Sequence, residues 1–255
     1  MKNLIVGQSG GPTAVINSSL YGVVSEALKH TEEIDHVYGM VNGIEGFLNG
    51  TFLDFQEALP GEQLLALTWT PGAYLGSCRY KLPESLEDPV YPKLFQKFEE
   101  MNIGWFFYIG GNDSMDTVSK LSRYAETVNS EIRFIGIPKT IDNDLVLTDH
   151  TPGFGSAAKY IGASTKEVIR DALGLTYKKN MITIMEIMGR NAGWLTGATA
   201  LAKSEDCDGP DLIYLPEVPF DVEKFLAKVK DLLNKKASIV IAVSEGIKLA
   251  DGRYV

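Results

Sequence analysis

The chain has 255 residues, of which 45% are hydrophobic and 22% are charged, and its formal net charge is −9. This composition is typical of a folded globular protein and excludes a disordered tail. A net negative charge argues against non-specific binding to nucleic acid or to an anionic membrane. We therefore expect no nucleic-acid and no membrane partner, although a local cluster of cations can still bind an anionic substrate.

Cysteine usage and the first residues favour a cytoplasmic protein. The two cysteines, Cys78 and Cys207, are too few for the disulfide framework of a small secreted domain. Residues 1–11 hold a short apolar run that ends in glycines, whereas a signal peptide has a longer apolar region. No stretch of the sequence approaches the ~20 apolar residues that span a bilayer. We expect a cytoplasmic enzyme or binding protein.

In chain order, short apolar runs alternate with segments of helical periodicity. The predicted strands lie at residues 4–6, 104–109, 132–137, 181–188, 212–215 and 239–243. The predicted helices lie at residues 15–28, 115–128, 156–173, 192–202 and 222–235. Runs this apolar indicate strands buried on both faces, and the alternation indicates parallel sheets with helices on both sides.

These elements predict an α/β fold with Rossmann-like three-layer parallel sheets, arranged as two similar domains that flank a cleft. We expect a domain boundary near residue 150, which divides the chain into residues 1–150 and 151–255. Residues 40–100 are expected to form loops and short elements. The segment 250–255 is typical of a hairpin turn with Asp251-Gly252 at its tip, at the start of a strand. Since that strand barely begins, we expect a truncated chain and an incomplete second domain.

Two glycine-rich segments each join a predicted strand to a predicted helix. They are Gln8–Thr13 and Gly110–Ser114. Glycines let backbone N–H groups approach an anion and a helix start adds partial positive charge, so both segments are candidate phosphate cradles. The first matches neither the P-loop nor the dinucleotide fingerprint, and a tight turn explains it equally well. Capping of the helix by Asp113 or Ser114 is compatible with ligand binding by the second.

The segment Pro138–Asp144 is the strongest chemical signal. It places a cation, a hydroxyl and two carboxylates directly after a predicted buried strand, and phosphoryl transfer needs charge neutralisation, a metal site and a proton acceptor. Segments rich in Asn and Asp are also common solvated turns. Its place after a strand favours the functional interpretation.

Three further polar residues lie next to predicted strands or in a glycine-rich segment. Arg190 follows one strand end and can grip a phosphate or sugar oxygen with its forked guanidinium. Arg79, beside a glycine and a serine, also suits phosphate binding, although a lone arginine is more often a surface charge. Glu245 ends a very apolar strand and is a candidate acceptor for sugar hydroxyls. The three histidines have no metal-ligand spacing.

Taken together, these segments resemble the phosphofructokinase family. Six motifs occur in the family's order along nearly the whole chain: SGG, LGSCR, GGNDS, PKTIDND, MEIMGR and VSEG. The resemblance implies magnesium-dependent transfer of a phosphoryl group to the 1-hydroxyl of fructose 6-phosphate, giving fructose 1,6-bisphosphate in glycolysis. It also implies a homo-oligomer, a dimer or a tetramer. The first domain is then the phosphoryl-donor domain, and the second is the fructose 6-phosphate domain.

The resemblance assigns a role to each matching residue. Asp142 is implied to be the general base that takes the proton from the 1-hydroxyl. The implied sugar-binding residues are Thr140, Ile141, Asp142, Met188, Gly189, Arg190 and Glu245. The implied donor-binding residues are Gly11, Arg79 and Ser114. The implied magnesium ligands are Asn112 and Asp144.

The identity of the donor depends on Asp113 and Lys139. Family members that use ATP have glycine at both positions, which leaves room for the nucleotide. Here Asp113 adds bulk and negative charge that oppose a nucleotide, while Lys139 adds a compact cation suited to pyrophosphate. The pair resembles the pyrophosphate-using branch and marks both residues as catalytic. An ATP-dependent enzyme and a non-catalytic, sugar-phosphate-binding regulatory subunit are the alternatives.

The sequence departs from the family pattern at three places. Asn112 stands where the family usually has an aspartate that ligates magnesium. An arginine that the family often has near Met181 is missing, and Lys178 and Lys179 are the nearest cations. The basic segment that grips the 6-phosphate would come after Val255.

Overall fold

The computed structural model describes residues 1–176 and 179–255, which divide into two compact units, residues 1–140 and 141–255. The division falls ten residues before the boundary expected from the sequence. The side chain of the buried Asn143 explains its position, because it donates to the carbonyl oxygen of Asp149 at 3.1 Å and accepts from the backbone N–H of Thr151 at 2.8 Å. These bonds tie the segment after the PKT motif to the second unit.

The first unit is built around a five-stranded sheet in the order β3-β2-β1-β4-β5. Its strands are β1 (Lys2–Gln8), β2 (Ile34–Met40), β3 (Phe52–Asp54), β4 (Ile103–Gly110) and β5 (Arg133–Pro138). Its helices are α1 (Ile16–Ala27), α2 (Gly43–Leu48), α3 (Phe55–Ala58), α4 (Glu62–Ala66), α5 (Val90–Glu100) and α6 (Asn112–Thr127), with a short 3-10 helix at Leu67–Trp69.

Helices cover both faces of this sheet because side chains alternate along β1. Ile5 packs into a core with Phe47 of α2, Phe98 of α5 and Leu121 of α6. Leu4 and Val6 point into the opposite core, which is shared with Ile16, Leu20 and Val24 of α1. A strand covered on both faces needs a continuous apolar run, as predicted from the sequence.

One strand departs from the predicted all-parallel arrangement. β3 pairs antiparallel with β2, whereas the other ladders in this sheet are parallel. After β2 the chain reaches β3 through α2 and a turn at Asn49–Thr51, a connection of 11 residues. A parallel return needs a crossover of a dozen residues or more, so the short connection brings the chain back antiparallel.

The second unit carries a parallel three-stranded sheet in the order β6-β8-β7. Its strands are β6 (Met181–Ile187), β7 (Leu212–Tyr214) and β8 (Ser238–Ser244). Its helices are α7 (Phe154–Gly174), α8 (Trp194–Gly197), which continues as a 3-10 helix at Ala198–Ala202, and α9 (Val222–Leu233). Val229 of α9 packs against Ile239 and Ile241 of β8, and α7 also contacts β8.

The expectation that the strands are buried on both faces is wrong for β5 and β6. The residues of both strands alternate between partly buried and exposed, and Ile135, Ile182 and Ile184 lie on the exposed faces. Both are edge strands of their sheets in the described residues.

The predicted hairpin turn near the last residues is confirmed. Lys248 and Tyr254 form an antiparallel bridge, and the backbone N–H of Leu249 donates to Arg253 at 2.8 Å. In the described ranges, none of the helices combines the length and the apolar character needed to cross a bilayer.

Candidate functional site

Three neighbouring strands of the first unit end at the same edge of the sheet. β1 lies between β2 and β4, and β5 follows β4. The register pairs Gln8 with Ile109 and Gly110 with Pro138, so the ends of β1, β4 and β5 are level. The chain leaves β1 towards β2 on one side and returns to β4 on the other. This reversal of strand order marks the place where open α/β sheets bind ligands.

Lys139 joins these three strand ends. Its backbone N–H donates to Gly110 at 2.9 Å, and its Nζ donates to the carbonyl oxygen of Gly11. The ammonium also lies against Gly10, since a methyl group on that residue would come within 3.4 Å of Nζ. The residue is only 5% exposed. The structure therefore brings the predicted residues Lys139 and Gly11 into contact and places a positive charge within the glycine loop.

Asp113 lies in the first turn of α6, just beyond the end of β4. Its carboxylate forms an ion pair with Lys81 at 3.2 Å, and both side chains are more than half exposed. The negative charge of Asp113 is therefore partly compensated by a cation that the sequence analysis did not select. Lys81 lies two residues beyond the predicted Arg79. As a second cation in the LGSCRYK segment, it could have been identified from the sequence as a candidate partner for an anionic group.

Ser114 was predicted to bind the donor, and its hydroxyl is hydrogen-bonded to that of Ser9. Both residues are buried, one after β1 and the other in α6. Tyr108 extends this group of hydroxyls, since it is bonded to Ser9 and accepts from the backbone N–H of Ile44 at 3.3 Å. Burial raises the pKa of Tyr108 far above its usual range, so the phenol stays neutral. The hydroxyls join the first glycine loop to the start of α6.

Arg79 is exposed and follows a segment that is fixed to the end of β1. The backbone N–H of Gly10 donates to Cys78 at 3.4 Å, and the hydroxyl of Ser77 donates to the carbonyl oxygen of Gly10. The side chain of Gln8 accepts from the backbone N–H of Leu75 at 2.9 Å. The backbone next to Arg79 is thereby held beside the glycine loop that Lys139 contacts.

A buried lysine anchors the chain beyond Arg79. Lys120 of α6 is 3% exposed, and its Nζ donates to the carbonyl oxygen of Leu82 at 3.1 Å. It also pairs with Glu84 and with Asp116, each at 2.7 Å. Hydrogen bonds to these carboxylates raise the pKa of Lys120, with Asp116 as the larger cause. A buried lysine is invisible to a search for strand-end motifs, because it lies in the middle of a helix.

The predicted metal ligands, Asn112 and Asp144, are oxygen donors that suit a hard divalent cation. Asn112 opens α6 in the first unit, and Asp144 follows the buried Asn143 in the second. Across residues 1–176 and 179–255, no group of three or more His, Cys, Asp or Glu side chains is arranged to hold a metal. A divalent cation at either residue would take its remaining ligands from water or from substrate oxygens, and each side chain fits such an ion in chemical type.

In the second unit, the ends of β6 and β8 bring four predicted residues together. Glu245 follows β8 and accepts from the backbone N–H of Gly189 at 3.1 Å. The buried hydroxyl of Ser244 donates to the carbonyl oxygen of Gly189 at 2.6 Å. Met188 and Arg190, on either side of this glycine, are exposed. The MGR motif and the VSEG motif therefore form one cluster at the edge of the sheet.

The remaining predicted residues lie around the unit boundary or beside β6. Thr140 ends the first unit, and Ile141 and Asp142 open the second. Of the two lysines considered near Met181, Lys178 lies outside the described residues and Lys179 is exposed just before β6.

Comparison with known proteins agrees with the motif order. The sequence model of the phosphofructokinase family matches residues 3–255. The chain belongs to the phosphofructokinase family.

Three relatives of this phosphofructokinase-family chain are informative. It is 45% identical over 254 residues to a pyrophosphate–fructose 6-phosphate 1-phosphotransferase of Rhodospirillum rubrum, with 99% of this chain and 60% of the relative covered. The protein of that name from Halomonas elongata is 41% identical with the same coverage. The crystal structure of a pyrophosphate-dependent phosphofructokinase from Nitrosospira multiformis is 42% identical, with a TM-score of 0.79, 99% of this chain and 62% of that chain covered. The chain thus spans about 60% of the length of the curated relatives it matches.

These matches confirm the resemblance to the phosphofructokinase family and the predicted α/β fold. Enzymes of the family generally need a divalent metal. The roles of the individual residues remain predictions.

Proposed function

We propose that this chain is part of a pyrophosphate-dependent phosphofructokinase. The enzyme transfers a phosphoryl group from pyrophosphate to the 1-hydroxyl of fructose 6-phosphate. The observation that carries the proposal is the buried ammonium of Lys139, which donates a hydrogen bond to the carbonyl oxygen of Gly11 at the ends of β1, β4 and β5. A buried cation fixed in a glycine loop is a ready counter-charge for a compact polyanion.

The side chain of Lys139 occupies space at the point where the sheet would accept a donor. A methyl group on Gly10 would lie 3.4 Å from its Nζ, so the lysine tip fills the region beside the loop. A nucleotide donor needs that room for its sugar and α-phosphate, whereas pyrophosphate needs only the charge. Asp113 adds bulk at the start of α6, although its ion pair with Lys81 makes it a weaker source of repulsion than a bare carboxylate.

In this proposal residues 1–140 bind the donor, with Gly11, Arg79 and Ser114 as contacts, and residues 141–255 contribute to the sugar site. The hydrogen bond between Ser114 and Ser9 also fixes the start of α6. Arg190 contacts an oxygen of fructose 6-phosphate with its forked guanidinium, and Glu245 accepts hydrogen bonds from the hydroxyls of the sugar. Glu245 has one oxygen on Gly189, so its second oxygen serves the sugar. The remaining sugar-site residues are Thr140, Ile141, Met188 and Gly189.

Asp142 is the proposed general base, which takes the proton from the attacking 1-hydroxyl. Phosphoryl transfer requires positioning and charge stabilisation and no covalent enzyme intermediate. Mg²⁺ would neutralise the developing negative charge, and Asn112 and Asp144 are the residues of this chain that we propose as its ligands. Lys139 supplies a fixed positive charge to the donor, and Arg190 orients the acceptor.

A homo-oligomer and a cytoplasmic location complete the proposal. The apolar residues Ile182, Ile184 and Met188 are exposed along and just beyond β6, which is consistent with a surface that another part of an assembly covers. The cytoplasmic location stays a prediction from the sequence.

The decisive experiment compares phosphoryl donors. The purified enzyme of which this chain is part is supplied with fructose 6-phosphate and Mg²⁺, and fructose 1,6-bisphosphate is measured with pyrophosphate or with ATP. We expect a higher kcat/KM with pyrophosphate. A higher value with ATP would reject the proposed roles of Asp113 and Lys139 and favour an ATP-dependent enzyme. Binding of fructose 6-phosphate without turnover on either donor would favour a non-catalytic subunit.

A further inference from the structure

The loop that carries Arg190 is fixed at both of its ends by neighbouring strand ends. This loop, residues 188–193, follows β6 and is called the MGRNAG loop. At its first end, Gly189 is held by Glu245 and Ser244 of the β8 strand end, at 3.1 Å and 2.6 Å. At its second end, the backbone N–H of Gly193 donates to the carboxylate of Glu217 at 2.7 Å.

Glu217 is held in this place by the geometry of its own strand end. It follows β7 after Leu215 and Pro216, and β7 pairs with β8 on the side away from β6. The carboxylate therefore reaches the MGRNAG loop from the third strand of the sheet. None of the six sequence motifs includes Glu217, and the residue has no part in the proposed chemistry.

A side chain at Gly193 would have to displace the carboxylate of Glu217. A methyl group on Gly193 would lie 2.7 Å from the second carboxylate oxygen of Glu217 and 2.9 Å from Leu215. At φ −85° and ψ 11°, the backbone of Gly193 is open to other residues, so the missing side chain matters here for the seating of the carboxylate and not for the backbone conformation. The backbone of the loop lies directly on the end of β7.

A similar close contact fixes the loop next to Arg190. A methyl group on Gly246 would lie 1.8 Å from the carbonyl oxygen of Arg190, so the two backbones touch. Arg190 itself is exposed, and its guanidinium depends on the surrounding backbone for its direction. A long, flexible side chain binds an anion well only when its backbone is fixed, because its rotamers must otherwise be ordered on binding.

We infer that Glu217 is a positioning residue for the sugar-phosphate site, and that it acts by fixing the Gly193 end of the loop that carries Arg190. The inference rests on the proposed function, which makes Arg190 a ligand of the acceptor substrate. Glu217 does not touch substrate in this account. It sets the KM for fructose 6-phosphate and leaves the donor site in the first unit unaffected.

The test uses steady-state kinetics with both substrates on three variants. Glu217→Ala removes the acceptor, Glu217→Gln keeps an amide oxygen that accepts the same N–H, and Glu223→Ala removes an exposed glutamate from the first turn of α9 as a control. We expect Glu217→Ala to raise the KM for fructose 6-phosphate about tenfold, the equivalent of one lost hydrogen bond to a charged acceptor. The KM for pyrophosphate should stay within about twofold, as for independent sites. Glu217→Gln should recover most of the loss.

A fourth variant changes the glycine on the other side of the same contact. Gly193→Ala keeps the carboxylate but forces it away, so it should also raise the KM for fructose 6-phosphate. In the double variant with Glu217→Ala, the two effects should be less than additive, since they break one contact. Unchanged KM for fructose 6-phosphate in Glu217→Ala or in Gly193→Ala would overturn the inference, as would equal rises for both substrates.

Hydrogen exchange separates this inference from the proposed function. Amide exchange of the peptide that contains residues 188–193 should become faster in Glu217→Ala and stay near the wild-type rate in Glu217→Gln. A wild-type protein that neither binds nor converts fructose 6-phosphate would reject the proposed function, and the substrate part of this inference with it. Exchange that is the same in wild type and Glu217→Ala would show that Glu217 does not hold the loop, whatever the substrate.

Discussion

The ammonium of Lys139 donates a hydrogen bond to the carbonyl oxygen of Gly11, which lies 128 residues earlier in the chain. The bond links two loops at the carboxyl ends of the strands of the five-stranded sheet, since one partner follows β1 and the other follows β5. It converts two weak sequence signals, a glycine-rich turn and a lysine after a strand, into one candidate anion site.

Replacing this lysine should affect the donor far more than the acceptor. Lys139→Met keeps the length of the side chain and removes its charge. We expect kcat/KM for pyrophosphate to fall about 10²- to 10³-fold, the usual loss when one electrostatic stabiliser is removed from an active site. The KM for fructose 6-phosphate should change by less than about twofold. Initial rates with each substrate varied in turn provide the measurement.

Lys93→Met is the matched control for that experiment, since Lys93 is an exposed lysine on α5. It should behave as wild type. A Lys139→Met enzyme with normal kcat/KM for pyrophosphate would remove the observation on which the proposed function depends.

The proposed base is tested by Asp142→Asn, which keeps the shape of the side chain and removes its ability to accept a proton. We expect kcat to fall about 10²- to 10⁴-fold, the contribution of general base catalysis. Binding of fructose 6-phosphate, measured by calorimetry, should change little. Asp149→Asn is the control from the same segment, because Asp149 bonds Asn143 through its backbone carbonyl and not through its carboxylate. Normal turnover in Asp142→Asn would show that another group takes the proton.

The ion pair between Lys81 and Asp113 should moderate the charge at the donor site. Lys81→Met leaves the carboxylate of Asp113 uncompensated, and we expect the KM for pyrophosphate to rise about two- to fivefold, in line with the energy of an exposed ion pair. The rise should shrink with added salt, which screens exposed charges. Measuring KM over a series of salt concentrations checks both statements.

The double variant of Lys81→Met with Asp113→Asn is the control for this pair. Removing the carboxylate as well should bring the KM for pyrophosphate back towards the wild-type value. If the double variant is as impaired as Lys81→Met, Lys81 contacts the donor itself and compensation of Asp113 is the wrong explanation.

Lys120 should stabilise the first unit through the segment that follows Arg79. Lys120→Met removes the bonds to Leu82, Glu84 and Asp116, and we expect the free energy of unfolding at pH 7 to fall by about 1–3 kcal/mol. Urea denaturation followed by circular dichroism measures the change, with Lys93→Met as the exposed control.

This stabilisation should also depend on pH. The pKa of Lys120 is raised in the folded protein, so its contribution is complete below the ordinary lysine value of about 10.4 and falls as the pH rises above it. The difference in unfolding free energy between wild type and Lys120→Met should therefore be constant from neutral pH to about pH 10 and smaller above it. A difference that grows with pH would contradict the assigned interaction.

The sequence predicted many of the elements that the cores require, but it missed β2 and the 11-residue helix α5, which supply the buried Val37, Met40 and Phe98. β1, β4 and β8 are continuous apolar runs because both of their faces are largely covered by other elements. Such runs can be recognised in the sequence without knowledge of the fold. α1, α6, α7 and α9 were found within a few residues of their bounds, since one apolar stripe repeats at helical spacing. The edge strands β5 and β6 were misjudged, because an apolar run does not show which of its faces a neighbour covers.

Among the candidate site residues, the chain order of the motifs was sufficient to select Gly11, Asp113, Lys139, Gly189 and Glu245. Motifs predict residue type and place along the chain, but they do not predict which side chains touch. Lys81, Lys120 and Glu217 were missed for this reason: each acts through a partner that is distant in the sequence and is unremarkable by itself.

The amino-acid sequence by itself determined the order of the strands and helices that it predicted and the residues that end those strands, because apolar periodicity and glycine-rich turns are local properties. Only the tertiary structure decided which side chains interact. Lys139 donates a hydrogen bond to Gly11, Asp113 forms an ion pair with Lys81, and Glu217 accepts a hydrogen bond from Gly193. Each of these contacts depends on the order in which strands assemble into a sheet. That order is set by packing over the whole unit, which no single segment encodes.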